Sequence, residues 1–183
     1  MKKVYIFLAD GFELIEALAP YDIFRRGGID VKTVSVTEQK IVSASNKVKV
    51  EADITYKDSD FSDADLIYLP GGYPGYENLC NNKIVGEIAI NQYKSGKFLA
   101  AICAGPTVLL KNKIGLGKKV TSHSCCKAEM SENYQFTGND VEQDGNLFTS
   151  TGAGQSIKFG LFLAQALCGD EVLAKIKNGM EIK

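Results

Sequence analysis

The chain has 183 residues, of which 45% are hydrophobic and 23% are charged, and these values are ordinary for a globular protein. Its 21 Lys and Arg residues nearly balance its 22 Asp and Glu residues, so the formal net charge is only -1. This balance argues against nucleic-acid or anionic-lipid binding, because no overall positive field attracts phosphate groups. The length predicts a single domain, residues 1–183.

The N-terminal segment MKKVYIFLADGFE does not have the pattern of a signal peptide, since Asp10 and Glu13 interrupt its apolar run too early. No segment approaches the roughly 20 apolar residues that a membrane span needs. The five cysteines are odd in number and irregularly spaced, which does not indicate a disulfide framework. We therefore expect a cytoplasmic protein with reduced cysteines and no membrane partner.

In the first half of the chain, the hydrophobic pattern predicts a buried strand over 4–9 and a helix over 13–26 that Gly27 and Gly28 terminate. A second strand is predicted over 31–36. The segment 48–54 alternates more weakly, with a hairpin turn at 45–47 before it.

In the second half, apolar runs predict three strands, and apolar residues at helical spacing predict three helices. The strands are 66–69, 98–102 and 147–150, and the helices are 84–93, 107–111 and 156–167. Such alternation predicts an α/β fold with a mainly parallel sheet covered on both faces. Because sites in these sheets lie beyond the carboxyl ends of the strands, we expect 10–13, 71–73 and 103–105 to meet.

Cys103 lies at one of these predicted strand ends, within the sequence AAICAGPTVLL. Gly105 permits a sharp strand-to-helix turn of the kind that exposes a nucleophile, and Pro106 suits the first turn of a helix. The start of that helix is expected to lower the pKa of the thiol. The alternative is an inert core cysteine, and the local pattern alone leaves the two interpretations about equal.

A reactive thiol also needs a proton donor or acceptor and groups that stabilise an oxyanion. Glu13 and Glu16 both lie near the start of the first predicted helix, although a solvated helix face explains their spacing equally simply. The backbone N–H groups of Gly72 and Ala104 are candidate oxyanion donors, and an ordinary turn at Gly71-Gly72 is the competing interpretation.

Six segments resemble the ThiJ/PfpI superfamily and, within it, the Parkinsonism-associated DJ-one branch. In chain order they are IFLADGFELIEA, PYDIFRRGG, DLIYLPGGYPGYENL, AAICAGPTVLL, GLGKKVTSH and VEQDGNLFTSTGAG. They extend over nearly the whole chain, and the combination of AAICAGP, LPGG and an early glutamate is specific to this group.

The resemblance implies a flavodoxin-like three-layer sandwich, commonly a homodimer, in which Cys103 is the reactive cysteine. It implies that Glu16 carries a protonated carboxyl that hydrogen-bonds the thiolate. Gly72 and Ala104 match the backbone donors near the sulfur, and His123 matches a histidine near the cysteine. The resemblance implies neither a cofactor nor a metal.

The sequence departs from the pattern of related branches at three places. Ala104 stands where the peptidase-like and chaperone-like branches have a histidine after the nucleophile, so a cysteine peptidase ranks below the other functions. The loop 151–154 reads Thr-Gly-Ala-Gly where Gly-Pro-Gly after a basic residue is common. Asn46 stands where the branch often has an arginine.

Two functions follow from this resemblance. The first is a glutathione-independent glyoxalase or deglycase that acts on 2-oxoaldehydes such as methylglyoxal, or on their glycated adducts. The second is a stress-response redox sensor or chaperone in which Cys103 is oxidised to a sulfinate. Both require the same activated sulfur, so the sequence does not separate them.

The sequence His123-Ser-Cys125-Cys126 places an imidazole and two thiols within four residues. Zinc binding is disfavoured, because no cluster supplies a fourth ligand and adjacent cysteines chelate one ion poorly. A second hypothesis is that Cys125 or Cys126 resolves a sulfenate on Cys103. Cys80 and Cys168 are expected to be structural.

Overall fold

The computed structural model describes residues 1–183. The strands, in chain order, are β1 Lys3–Leu8, β2 Asp30–Ser35, β3 Ile41–Ser43, β4 Lys49–Glu51, β5 Ile54–Thr55, β6 Leu66–Leu69, β7 Phe98–Ile102, β8 Lys119–Val120, β9 Gln135–Phe136, β10 Val141–Asp144 and β11 Leu147–Ser150. The α-helices are α1 Leu14–Arg26, α2 Gly75–Asn81, α3 Lys83–Lys94, α4 Thr107–Lys111, α5 Lys127–Ser131, α6 Ser156–Cys168 and α7 Asp170–Gly179. Short 3-10 turns cover Ser124–Cys126 and Ala153–Gln155.

Seven strands form the central sheet, in the order β10-β11-β7-β6-β1-β2-β5. All neighbouring pairs are parallel except β10 and β11, which form an antiparallel edge. The predicted mainly parallel α/β sheet is therefore confirmed. Two separate ribbons, β3-β4 and β8-β9, lie outside it.

Alternate residues of the central strands pack into two cores on opposite faces of the sheet. In β1, Tyr5 and Phe7 lie on one face and Val4, Ile6 and Leu8 on the other. The first core packs against α2 to α5, and the second packs against α1, α6 and α7. Burial on both faces explains the continuous apolar runs of the strands, since neither face meets water.

The segment predicted as one weak strand over 48–54 is two short strands. Between them, the Asp53 carboxylate accepts hydrogen bonds from the Thr33 backbone N–H at 2.8 Å and the Thr33 hydroxyl at 2.9 Å. This contact turns the chain from the β3-β4 hairpin onto the edge of the sheet beside β2.

Helices α2 and α7 and the segment from β8 to β10 have no counterpart in the prediction. Helix α2 buries only Gly75 and Leu79, and α7 buries only Ile176, so neither shows a broad apolar face in the sequence. No helix of the chain is both long enough and apolar enough to cross a membrane.

Candidate active site

The carboxyl ends of four parallel strands, β11, β7, β6 and β1, lie side by side. The predicted convergence of 10–13, 71–73 and 103–105 is confirmed: the Glu13 N–H donates to the Gly71 carbonyl at 2.9 Å, and a side chain at Gly71 would touch Cys103. The structure adds the end of β11, where the Ser150 carbonyl accepts the Cys103 N–H at 2.9 Å. The site therefore has one more strand end than the sequence predicted.

Cys103 occupies a strained backbone conformation, with φ at 64°. A positive φ is uncommon for a residue with a side chain and marks a turn held by its surroundings. The hydrogen bond to Ser150 and another from the His123 N–H to the Cys103 carbonyl, at 2.8 Å, hold it there. Gly105 permits the turn, because a Cβ at this position would lie 2.5 Å from the Leu69 carbonyl oxygen.

The two candidate glutamates have different roles. Glu13 caps helix α1, since its side chain accepts a hydrogen bond from the Glu16 N–H at 2.8 Å. The Glu16 side chain is fully buried, and its Oε2 atom accepts the Gly71 N–H at 2.8 Å. Its Oε1 atom is buried without a hydrogen-bond partner, and the carboxyl packs beside the Cys103 side chain at Gly71.

Tyr68 is a positioning residue that the sequence pattern did not identify. It is fully buried, and its hydroxyl donates to the backbone carbonyl of Glu16 at 2.8 Å. A tyrosine in a buried strand normally needs such a partner, and that requirement is the signal available in the sequence. The bond helps to fix the first turn of α1 over the sheet.

Gly71 shows how tightly the site is packed. A Cβ there would lie 2.8 Å from the Cys103 Cβ, 2.9 Å from the Glu16 Oε2 and 3.0 Å from the Ala104 nitrogen. These three groups therefore surround one backbone position, which only glycine can occupy without moving them.

Burial raises the pKa of Glu16 from 4.5 to about 7. The hydrogen bonds from Cys103 and from the Gly71 N–H act in the opposite direction, because they stabilise the carboxylate. Glu16 is therefore a carboxyl group that can gain and lose a proton near neutral pH.

Burial, and then the charge and hydrogen bond of Glu16, raise the pKa of Cys103 to about 12. The Ala104 and Gly72 N–H groups lower it but do not outweigh these effects. The expectation of a thiol pKa lowered by the helix is therefore wrong, because burial and the Glu16 charge outweigh the N–H groups at the turn. With the Glu16 pKa near 7 and the Cys103 pKa near 12, Glu16 is a carboxylate and Cys103 a thiol above about pH 7, the reverse of the protonated carboxyl and thiolate that the resemblance implied.

His123 lies beside this pair, but its imidazole forms hydrogen bonds elsewhere. Its Nδ1 atom accepts the Cys125 N–H at 3.2 Å and lies 3.0 Å from the Cys125 Sγ atom. The side chain is exposed, and its backbone is bound to Cys103. The structure therefore brings together Cys103, Glu16, Gly72 and Ala104, with His123 at the edge.

A cleft of about 520 Å³ lies next to the sulfur. Only two of its 11 lining residues are hydrophobic, and the others include Ser122, His123, Lys127, Thr151 and Gln155. Gly152 joins the cleft to the site: a Cβ there would lie 3.6 Å from the His123 Cδ2 and 4.0 Å from the Cys103 Sγ. In the sequence, the loop 151–154 stood out only as a departure from the family pattern.

Replacing Gly152 with Ala is expected to lower kcat/KM for an aldehyde substrate by about tenfold or more, because the added methyl group narrows the approach to the sulfur. The contacts are ordinary van der Waals distances, so the fold tolerates the change. Gly154→Ala is the matched control, since the added methyl group would have no atom within 4 Å of it. Equal kcat/KM values for the two variants would contradict an approach past Gly152.

Residues 2–166 match the family model described as the DJ-1/PfpI family. The chain belongs to the DJ-1/PfpI family. The "Parkinson disease protein 7 homolog" of Danio rerio is 35% identical to it, over 100% of this chain and 98% of that protein. The "Glutathione-independent glyoxalase DJ-1" of Schizosaccharomyces pombe is 33% identical, over 93% and 94% respectively.

The fold of this DJ-1/PfpI chain is also that of a solved relative. The crystal structure of Drosophila melanogaster DJ-1beta matches it with a TM-score of 0.96 and 32% identity, covering 100% of this chain and 98% of that one. The family resemblance and the flavodoxin-like fold are therefore confirmed.

Proposed function

We propose that this DJ-1/PfpI protein is a cofactor-free glyoxalase or deglycase-type enzyme that converts 2-oxoaldehydes such as methylglyoxal, or their adducts, to hydroxyacids. The observation that carries the proposal is the buried Glu16 carboxyl packed beside Cys103, so close that a Cβ at Gly71 would lie 2.8 Å from the Cys103 Cβ and 2.9 Å from the Glu16 Oε2, next to an open cleft. A nucleophile and a proton-transfer group in direct contact are the two groups that this reaction needs.

In the first step the Glu16 carboxylate takes the Cys103 thiol proton as the sulfur adds to the aldehyde carbon, which forms a carbon–sulfur bond and an alkoxide. The Gly72 and Ala104 N–H groups, which lower the pKa of the thiol, are the candidate donors that stabilise the developing negative charge. The Glu16 carboxyl then returns the proton to the alkoxide, which gives a hemithioacetal and restores the carboxylate.

Glu16 then transfers a proton between the two neighbouring carbons. As a carboxylate it removes the hydrogen of the sulfur-bearing carbon to form an enediol, and as an acid it protonates the adjacent carbon. The product is a thioester of lactate, which water hydrolyses to lactate and free thiol. The net reaction adds one water to methylglyoxal and consumes no oxidant, reductant or cofactor.

The name of the Schizosaccharomyces pombe relative, "Glutathione-independent glyoxalase DJ-1", supports this proposal. The cleft volume of about 520 Å³ also suits a glycated side chain, because it lies in the range of sites for much larger ligands than methylglyoxal. The homodimer that the resemblance implies stays a prediction.

The test is a time course of methylglyoxal consumption and lactate formation by the purified protein, without glutathione. We expect one lactate for each methylglyoxal consumed, at a rate proportional to enzyme concentration. Consumption without lactate would indicate simple thiol capture and would contradict the isomerisation step.

Oxidation of Cys103 is the second candidate, and the half-buried sulfur beside the Glu16 carboxyl favours it. A protonated carboxyl can donate a hydrogen bond to a sulfinate oxygen and stabilise it. Intact mass after mild peroxide treatment distinguishes this role, since a sensor gains two oxygens at Cys103 before any other cysteine reacts.

A further inference from the structure

Cys125 and Cys126 form a pair of thiols outside the proposed catalytic pair. Their Sγ atoms lie 3.6 Å apart, although the residues are adjacent in the chain. The 3-10 turn over Ser124–Cys126 brings both sulfurs to one side of the backbone. Cys125 is exposed and Cys126 is 7% exposed, so a small ligand that reaches Cys125 also meets the second sulfur.

His123 supplies a base to this pair. Its Nδ1 atom accepts the Cys125 backbone N–H at 3.2 Å, so this nitrogen carries no proton of its own. The same nitrogen lies 3.0 Å from the Cys125 Sγ atom, within reach of the thiol proton. The imidazole can take the Cys125 proton as the sulfur forms a new bond.

Neither a disulfide nor a metal site fits this pair of thiols well. A disulfide between adjacent cysteines is strained, because their Cα atoms are about 3.8 Å apart across a trans peptide and disulfides prefer longer separations. No group of three or more His, Cys, Asp or Glu side chains is arranged to hold a metal ion. An atom that bonds to both sulfurs and lies between them avoids the strained disulfide and needs no third ligand from the protein.

We propose that Cys125 and Cys126 form a binding site for trivalent arsenicals, with His123 as the proton acceptor. With an organoarsenic oxide, both thiols form arsenic–sulfur bonds, and the two thiol protons leave with the oxide oxygen as one water molecule. Arsenic stays trivalent, so no oxidant or reductant is needed. His123 also lines the cleft beside Cys103, but the arsenical does not need the Cys103 thiol, so this proposal and the proposed turnover can fail independently.

The test is titration with phenylarsine oxide in a Cys103→Ala background, followed by intact mass and peptide mapping. We expect one phenylarsenic group per chain, bound between Cys125 and Cys126, and released by a small dithiol but not by a monothiol. Cys125→Ser is expected to weaken binding by about 100-fold, because the second sulfur no longer binds intramolecularly.

Cys80→Ser and Cys168→Ser are the matched controls, and both should bind as tightly as the parent. Cys126→Ser is expected to match Cys125→Ser, but Cys125 is exposed, so its variant tests the site without disturbing the core. Unchanged affinity in Cys125→Ser, or mapping of the adduct to Cys80 or Cys168, would overturn the proposal. His123→Gln should slow binding at neutral pH, since the proton acceptor is removed.

Discussion

Replacing Cys103 with Ser is expected to lower kcat/KM for methylglyoxal by about 10⁴-fold or more, as loss of a covalent nucleophile does in other enzymes. A serine hydroxyl keeps the size of the group and its position on the turn. It ionises far less readily than a thiol, so the Gly72 and Ala104 N–H groups have no sulfur anion to stabilise. The measurement is the initial rate of lactate formation at saturating and limiting methylglyoxal.

Cys168→Ser is the control for this variant. Cys168 is the last residue of α6 and packs at the edge of the second core. We expect it to retain wild-type turnover. Wild-type turnover in Cys103→Ser would show that the reaction does not pass through this sulfur, and the proposed function would then be wrong.

Replacing Glu16 with Gln is expected to lower kcat by about 10²- to 10⁴-fold, the usual contribution of a general acid–base group. In the wild type, we expect kcat/KM to rise with pH through about 7, because the pair then loses its first proton and can react. The variant should lose this inflection, since an amide does not titrate. The measurement is a pH–rate profile for both proteins.

Glu13→Gln is the matched control, because Glu13 caps α1 only three residues before Glu16. It should keep the inflection near pH 7 while losing some helix stability. An inflection that persists in Glu16→Gln would assign the titration to another group.

Unfolding does not explain the expected loss in Glu16→Gln. The folded protein holds the Glu16 proton up to about pH 7, whereas the free side chain releases it near 4.5. The contribution of Glu16 to the free energy of unfolding is therefore fully present below pH 4.5. It is lost as the pH rises through 7, which lowers the free energy of unfolding by up to about 3 kcal/mol. Since glutamine carries no charge, urea unfolding at pH 8 should show the variant to be at least as stable as the wild type.

Most of the elements that form the site were predictable from local patterns. The strands 66–69, 98–102 and 147–150 have the bounds that the sequence predicted, because strands buried on both faces are continuous apolar runs. Helix α2 was not predictable because it buries only Gly75 and Leu79. The elements from β8 to β10 are only two to five residues long, too short for a hydrophobic period to show in the sequence.

The roles of the two early glutamates also needed the structure. Their spacing is compatible with a solvated helix face, a cap or a buried acid. Only the fold shows that Glu13 caps α1 and that Glu16 lies beside Gly71 against Cys103. The direction of the Cys103 pKa was mispredicted for a related reason, because burial and a neighbouring charge depend on which segments lie around the thiol.

The sequence by itself determined the α/β class, the strand end that carries Cys103 and the family to which the chain belongs. These follow from local apolar runs, turn residues and motif order, all of which are written in neighbouring positions. Tertiary structure alone decided that Glu16 is buried beside Cys103, that Gly152 borders the approach to the sulfur, and that the Cys125 and Cys126 sulfurs lie 3.6 Å apart. Those facts depend on distances between side chains, which parallel strand order and the burial of each segment establish only when the whole chain has folded.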